Sequence, residues 1–341
     1  MIYSLLNILR VYILVSFVIL PFISCTRSPS ILWTTQTSGS VYGSPAYKDG
    51  IVFIGSQDKF LYALNSKDGS IAWKINLLGP VVSTPLIRNE SLYIGSGNGD
   101  FHSINVKTGK SNWITRTEGL IHFEACSDET GLYFGNDRGQ FLKLNYDGQV
   151  LWTFKASNKL NSTCDFYKDL VLTSSLDTNF YAFKRQDGSV AWKVSSGTLN
   201  YGGPQLVNDD VYFATHDIIY RIDASTGVVR NKIKTPYLVY VLFKDGYLWT
   251  NEKGLSKRNL NGDILASVPF QSQTSFRPVA GSDLFILGAD TSSLYGVSKD
   301  LKIIWKLKQS EAFWSAGVIN DNVYYTGNRN NNVYAIQLPK S

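Results

Sequence analysis

Tryptophan falls at positions 73, 113, 152 and 192, at intervals of 40, 39 and 40 residues, and each closes a unit built in the same way. In the first unit, DGIVFIGSQDKFLYALNSKDGSIAW, the apolar run Ile51–Ile54 precedes Gly55. A polar turn follows, a second run (Phe60–Leu64) leads to a turn at Gly69, and Trp73 stands four residues on. Leu92–Ile94 and Phe101–Ile104, then Leu132–Phe134 and Phe141–Leu144, hold the same places in the next two units, and Phe180–Phe183 does so in the fourth. Gly109, Gly148 and Gly188 mark the second turn. Repetition at this period means an array of identical supersecondary units, none of which can bury its apolar face alone. Short β-branched and aromatic runs split by Gly, Asn and Asp turns are antiparallel strands, and the 20 Tyr, 18 Phe and 8 Trp suit a pleated, half-buried surface. Apolar spacing of 3.6 is missing, which disfavours helical solenoids. A short extended piece such as Ser44-Pro45-Ala46 or Ser83-Thr84-Pro85 precedes each unit, giving four strands per repeat.

Weaker copies continue to the C-terminus. Val211-Tyr212-Phe213 and Ile219–Ile222 lead to Gly227, with Asn231 in the Trp place; Gly246–Trp249 lead to Gly262, with Ala266 there. Leu284–Leu287 and Leu294–Val297 lead to Trp305, and Val323-Tyr324-Tyr325 and Val333–Ile336 form the last copy. That copy ends at Leu338-Pro339-Lys340-Ser341 without a fourth strand. The missing piece stands at the other end, where Ile31-Leu32-Trp33 matches Val150-Leu151-Trp152 and Trp33 lies 40 residues before Trp73. The expectation is an all-β chain: an eight-bladed β-propeller of four-stranded antiparallel blades over residues 31–341, closed by the N-terminal strand. Such a ring exposes only short, protected strand edges. Seven blades would result if Tyr201–Ser267 formed one irregular blade.

The first 24 residues carry one charge, Arg10, and the stretch Val11–Ser24 is uncharged and almost wholly apolar. Fourteen residues are short for a bilayer span and suit the apolar region of a secretory signal. The run ends in Phe22-Ile23-Ser24-Cys25, which resembles the bacterial lipobox, in which a small residue precedes a cysteine that is lipidated and becomes the mature N-terminus; Phe22 departs from the usual Leu. Residues 1–24 are thus expected to be a lipoprotein signal peptide, Cys25 the lipidation site and residues 25–30 a tether, with a plain signal or an N-terminal membrane anchor as the alternative. Removing residues 1–24 lowers the formal net charge from +6 to +5, and no Lys/Arg-rich run appears, so nucleic-acid binding is not expected.

The segment Ala63–Trp73 (ALNSKDGSIAW) resembles the PQQ-like, or quinoprotein-type, propeller motif AxDxxTGxxxW, and Ser103–Trp113, Ala182–Trp192 and Arg221–Asn231 match it less completely. In such a motif Gly accepts the positive φ of a tight turn, and Asn65 or Asp223 bonds its own turn. Trp presents a flat face to the neighbouring blade. On this reading Trp33, Trp73, Trp113, Trp152, Trp192 and Trp305, with Gly69, Gly109, Gly148 and Gly188, dock the blades. Family members that carry PQQ add a vicinal Cys-Cys disulfide and acidic or amide Ca²⁺ ligands over the channel. This chain has no Cys-Cys pair, so neither PQQ nor calcium is expected, and no catalytic residue is assigned. A lipobox followed by eight compact quinoprotein-type blades is similar to the BamB family, the lipoprotein subunits of the machinery that inserts β-barrels into the bacterial outer membrane. The resemblance implies a periplasm-facing, outer-membrane-anchored scaffold that binds other proteins, a monomer within a hetero-complex of the barrel-assembly type. The runner-up is a PQQ-dependent or other small-ligand-binding quinoprotein-type oxidoreductase.

Remaining residues offer few chemical constellations. There is no GxSxG elbow and no GxxxxGK[ST] loop. His102, His122 and His216 lack metal-ligand spacing, and Gly97-Asn98-Gly99-Asp100 and Asn328–Asn332 lack the following Glu of a Ca²⁺ loop; no metal is expected. Glu124, Asp165 and Arg277 lie beside inner strands and are expected in the channel, as solvated residues or as a charge cluster. Phe276, Phe313 and Trp314 also lie there, and core packing is favoured over an aromatic patch. Cys126 and Cys164 hold nearly equivalent places in adjacent copies. Two buried free thiols are favoured, with a disulfide open in an oxidising compartment.

Overall fold

One blade shows why the repeat folds as it does. In blade 1 the inner strand Ala46–Lys48, second strand Ile51–Gly55, third strand Phe60–Asn65 and outer strand Ile71–Asn76 pair antiparallel in chain order. The two middle strands are covered on both faces, so Val52, Phe53 and Ile54 and then Leu61, Tyr62, Ala63 and Leu64 are buried without alternation. The outer strand meets a neighbour on one face only, and its residues alternate between exposed and half-buried. Register slips by one residue between Ala63 and Leu64, opposite Trp73. The same β-bulge recurs between the third and outer strands of blades 2 to 7, where it adds twist.

The computed structural model describes residues 28–339 except 161, 201, 236–239, 252–253, 271–272 and 290–291. Cys25 and residues 1–24, the expected lipidation site and signal peptide, lie outside the described residues. Blade 2 runs from strand Leu86–Arg88 to Ser111–Arg116, blade 3 from Cys126–Ser127 to Val150–Lys155, and blade 4 from Asp165–Tyr167 to Val190–Ser195. Blade 5 runs from Gln205–Val207 to Val229–Lys234, blade 6 from Val241–Lys244 to Ile264–Pro269, and blade 7 from Val279–Ala280 to Ile303–Lys308. The worn stretch 201–267 therefore makes two blades. Blade 8 takes Val318–Asn320, Val323–Gly327 and Asn332–Gln337 from the C-terminus and Ser30–Gln36 from the N-terminus. Trp33 opposes Ala335 there as Trp73 opposes Ala63 in blade 1. The chain is an all-β, eight-bladed propeller closed by its N-terminal strand.

The core is divided among the blade interfaces. Eight apolar clusters each join two adjacent blades: Phe53 and Leu61 of blade 1 pack with Leu92 and Ile94 of blade 2, and Trp33 and Tyr325 of blade 8 pack with Val52 and Ile54 of blade 1. In place of the two free thiols favoured from sequence, Cys126 and Cys164 form a disulfide, with Cα atoms 5.8 Å apart. The repeat sets equivalent residues of neighbouring inner strands side by side, within bridging distance. The bond lies against the core shared by blades 3 and 4, and closing a loop of this length contributes about 2–4 kcal/mol.

Antiparallel order gives the ring two distinct faces. One, the turn face, carries the turns from inner to second and from third to outer strand. The other, the connection face, carries the turns from second to third strand and the links between blades.

Candidate functional site

Blade docking uses one device five times. The indole Nε1 of Trp33 donates to the Ser66 carbonyl (2.9 Å), Trp73 to Val106 (3.0 Å), Trp113 to Tyr146 (2.9 Å), Trp152 to Arg185 (3.1 Å) and Trp192 to Ala224 (3.0 Å). Each acceptor sits in the third-to-outer turn of the next blade. The Gly of that turn lies flat on the indole: a Cβ at Gly69 would meet Trp33 ring carbon at 2.6 Å, and Gly109, Gly148 and Gly188 stand likewise on Trp73, Trp113 and Trp152. The Trp33–Ser66 bond carries the device across the ring closure. Trp305 differs. It packs toward Tyr334 and Ile336 of blade 8, but its buried Nε1 finds no partner among the described residues. In blade 8 the third-to-outer turn is replaced by the two chain ends. Sequence reasoning missed a second clasp: the hydroxyls of Thr35 and Thr115 donate to the carbonyls of Gly69 and Gly148 (2.6 Å each), at Trp-x-Thr positions readable in retrospect.

The channel mouth opens on the connection face as a cavity of about 350 Å³. Residues just before each inner strand line it, including Ser44, Thr84, Glu124, Thr163, Gly203, Tyr240, Arg277 and Ala316, so the repeat itself places about one residue per blade at this level. Of those eight only Glu124 of blade 3 and Arg277 of blade 7 are charged. Arg277 donates through Nη2 to the Gln205 side-chain oxygen of blade 5, which also accepts from the Phe243 amide at 3.3 Å. Asp165 of blade 4 accepts from the Leu206 amide at 3.0 Å. Burial raises the Glu124 carboxyl to about 7, against the pull of Arg277. Burial of the guanidinium at the mouth also lowers the basicity of Arg277, although the residue as a whole is exposed, and Asp165 and Glu124 oppose that change. The structure thus brings the three sequence-identified channel residues into one electrostatic group and adds Gln205, which heads an inner strand where its counterparts are Ala46, Leu86, Cys126 and Asp165. The raised carboxyl of Glu124 gives the group one proton that exchanges near neutrality.

The three aromatic candidates divide. Phe276 and Phe313 are buried in the blade 7–8 core, whereas Trp314 is 44% exposed at the mouth with the Arg329 guanidinium 5.8 Å from its ring. Phe123, Leu78, Leu120 and Leu199 are exposed on the links of the same face. His102 is buried, and burial lowers its pKa to about 4. His122 lines the mouth with Nε2 3.6 Å from Asp137, and His216 is exposed in a turn. Asn98 and Asn328 accept from the amides of Asp100 and Asn330 and so build turns. Among the described residues no three His, Cys, Asp or Glu converge as a metal site.

Solved structures share this architecture. BamB from Moraxella catarrhalis superposes with a TM-score of 0.77 over 91% of this chain and 100% of its own, at 14% identity. Saccharomyces cerevisiae Sqt1 gives 0.79 over 92% and 100%, at 11% identity. A quinohemoprotein alcohol dehydrogenase from Pseudomonas putida HK5 gives 0.75 over 91% of this chain and 76% of its own, also at 11%. At such identities the likeness is one of fold. No curated protein matches the sequence. The family model described as outer membrane protein assembly factor BamB matches residues 26–127 and again 117–237, more than half of the chain. The chain belongs to the BamB family of outer membrane protein assembly factors.

Proposed function

We propose that this protein is a lipid-anchored, periplasm-facing scaffold that binds other proteins during outer-membrane β-barrel assembly, held at the membrane through Cys25 and acting without a cofactor. Membership of the BamB family carries the reading. The structure adds a rigid ring that holds many loops in fixed positions. Its connection face carries exposed apolar side chains, Phe123 and Trp314 at the channel mouth and Leu78, Leu120 and Leu199 on the links between blades. Exposed apolar groups with a polar rim are a protein-contact surface by composition.

Crosslinking in intact cells, followed by purification of the lipidated protein and mass spectrometry, tests this. The expected result is recovery of an outer-membrane barrel insertase, lost when Phe123→Asp and Trp314→Asp are combined. Recovery of the protein alone from both forms would sink the scaffold reading. The runner-up draws on the channel, where burial raises the Glu124 carboxyl to about 7 and Arg277, across the mouth, acts on it electrostatically. Dye-linked alcohol or sugar oxidation after addition of PQQ and Ca²⁺ separates the two: no turnover is expected, and turnover would install the oxidoreductase reading.

A further inference from the structure

We propose that the rim of blades 6 to 8, at its turn-face end, rests on the lipid bilayer, with paired aliphatic side chains seated in the headgroup region. The inference rests on the reading of Cys25 as the anchored residue.

Three consecutive outer strands present two exposed aliphatic residues each: Ile264-Leu265 in blade 6, Ile303-Ile304 in blade 7 and Ile31-Leu32 in blade 8. They are well exposed, Leu265 at 53% and Leu32 at 50%. Register puts them at one height, because the residues that follow, Ala266, Trp305 and Trp33, oppose the equivalent positions Lys257, Gly296 and Ala335. Blade 3 carries the corresponding pair Val150-Leu151, but its neighbours have Ser111-Asn112 and Val190-Ala191, so a run of three pairs occurs only on this side of the ring. Apolar groups repeated along one side of a soluble body mark a contact surface.

The chain's own course says what covers this one. Pro29 is already buried against the ring. Only Thr26, Arg27 and Ser28 separate it from Cys25, at the end of the apolar run Val11–Ser24. Four residue steps reach about 14 Å at full extension. An anchor at Cys25 therefore holds the rim of blade 8 against the bilayer, with Ile31 and Leu32 foremost. In blade 7 charge agrees: Lys302, Lys306 and Lys308 are exposed around Ile303-Ile304, and the acidic groups beside the pairs are Asp300 in the adjoining turn and Asp263 before Ile264. Aliphatic side chains flanked by lysines suit an anionic headgroup layer, which apolar faces enter by about 5–10 Å. Seated this way, the propeller turns its connection face, with Trp314 and Phe123, away from the membrane and toward partners.

The test uses the full-length lipidated protein in vesicles of phosphatidylethanolamine and phosphatidylglycerol. An environment-sensitive dye is attached at Ile304→Cys and, as control, at Gln57→Cys on the connection face. Cys126 and Cys164 are bridged and do not react. Emission at position 304 is expected to shift to the blue on reconstitution and to be lost on adding nitroxide-labelled lipid, with neither change at position 57. A dye at Leu32→Cys is expected to lose its blue shift when Ile303→Asp and Ile304→Asp are introduced, while the protein still floats with the vesicles. Flotation with position 304 as wet as position 57, or an unchanged signal at position 32 in the double variant, would overturn the seating alone. Failure of the unsubstituted protein to float would overturn the anchoring reading and the seating with it.

Discussion

Glu124 shows how a repeat position becomes chemically special. Its counterparts Ser44, Thr84, Thr163, Gly203 and Ala316 are uncharged, so the ring supplies little compensation beyond Arg277, and burial lifts the carboxyl from 4.5 to about 7. Between those values the native state keeps a proton that the unfolded chain has released. The contribution of Glu124 to stability therefore falls as pH rises from about 4.5 to about 7 and is level above. Glu124→Gln removes that slope. In urea unfolding at pH 5 and pH 8, the variant is expected to gain stability relative to wild type at the higher pH, and a pH-independent difference would show that Glu124 is ordinary. The sequence placed Glu124, Asp165 and Arg277 near the axis through their spacing alone. It gave no sign that Arg277 reaches Gln205 of blade 5, because that depends on the width of the ring.

At the scale of the element, the turn glycines do more than turn. Gly188 has φ of 72° and its missing Cβ is occupied by Trp152 ring carbons at 2.6 Å, whereas Gly246, at φ 82°, has nothing within 4 Å. Gly188→Ala should cost about 2–4 kcal/mol, summing left-handed backbone strain and overpacking, and Gly246→Ala about 1–2 kcal/mol from the backbone alone. Denaturant midpoints of the two variants isolate the indole contact; equal losses would mean that the Trp face contributes nothing to docking. The Gly-to-Trp interval was legible in the sequence as a motif, but it reads as a link within one unit. The structure shows that each Gly meets the Trp of the preceding blade. The interval inside a repeat and the interval between repeats are both constant, so periodicity does not separate the two pairings.

The whole molecule depends on a strand from one end of the chain completing a blade made by the other. Removing residues through Gln36 strips blade 8 of its outer strand, bares the edge of Asn332–Gln337 and takes away the Trp33–Ser66 bond. Exposed strand edges pair with other chains, so the truncated protein should leave the monomer peak in size exclusion and lose its cooperative melt. A circular permutant that joins Leu338 to Ser30 through a short Gly-containing linker and opens in the exposed turn at Asp245-Gly246 keeps all four strands of every blade and should melt cooperatively as a monomer. If the truncation behaves like the permutant, closure is dispensable. The eightfold count was legible even through the worn copies, where Asn231 and Ala266 replace Trp, since turn glycines and paired apolar runs persist where the large side chain is lost.

The sequence by itself determined strand order, blade number and closure by the N-terminal strand, because these follow from local periodicity that sheet pairing must obey; the PQQ-like class was legible only as a resemblance, through the motif at Ala63–Trp73. Tertiary structure alone decided what lies across an interface: the Cys126–Cys164 bond, the Trp305 Nε1 that meets no acceptor among the described residues, the Arg277–Gln205 bridge and the division of Trp314 from Phe313. Each depends on distances between blades, which the rotation of one blade on the next sets and no spacing along the chain encodes.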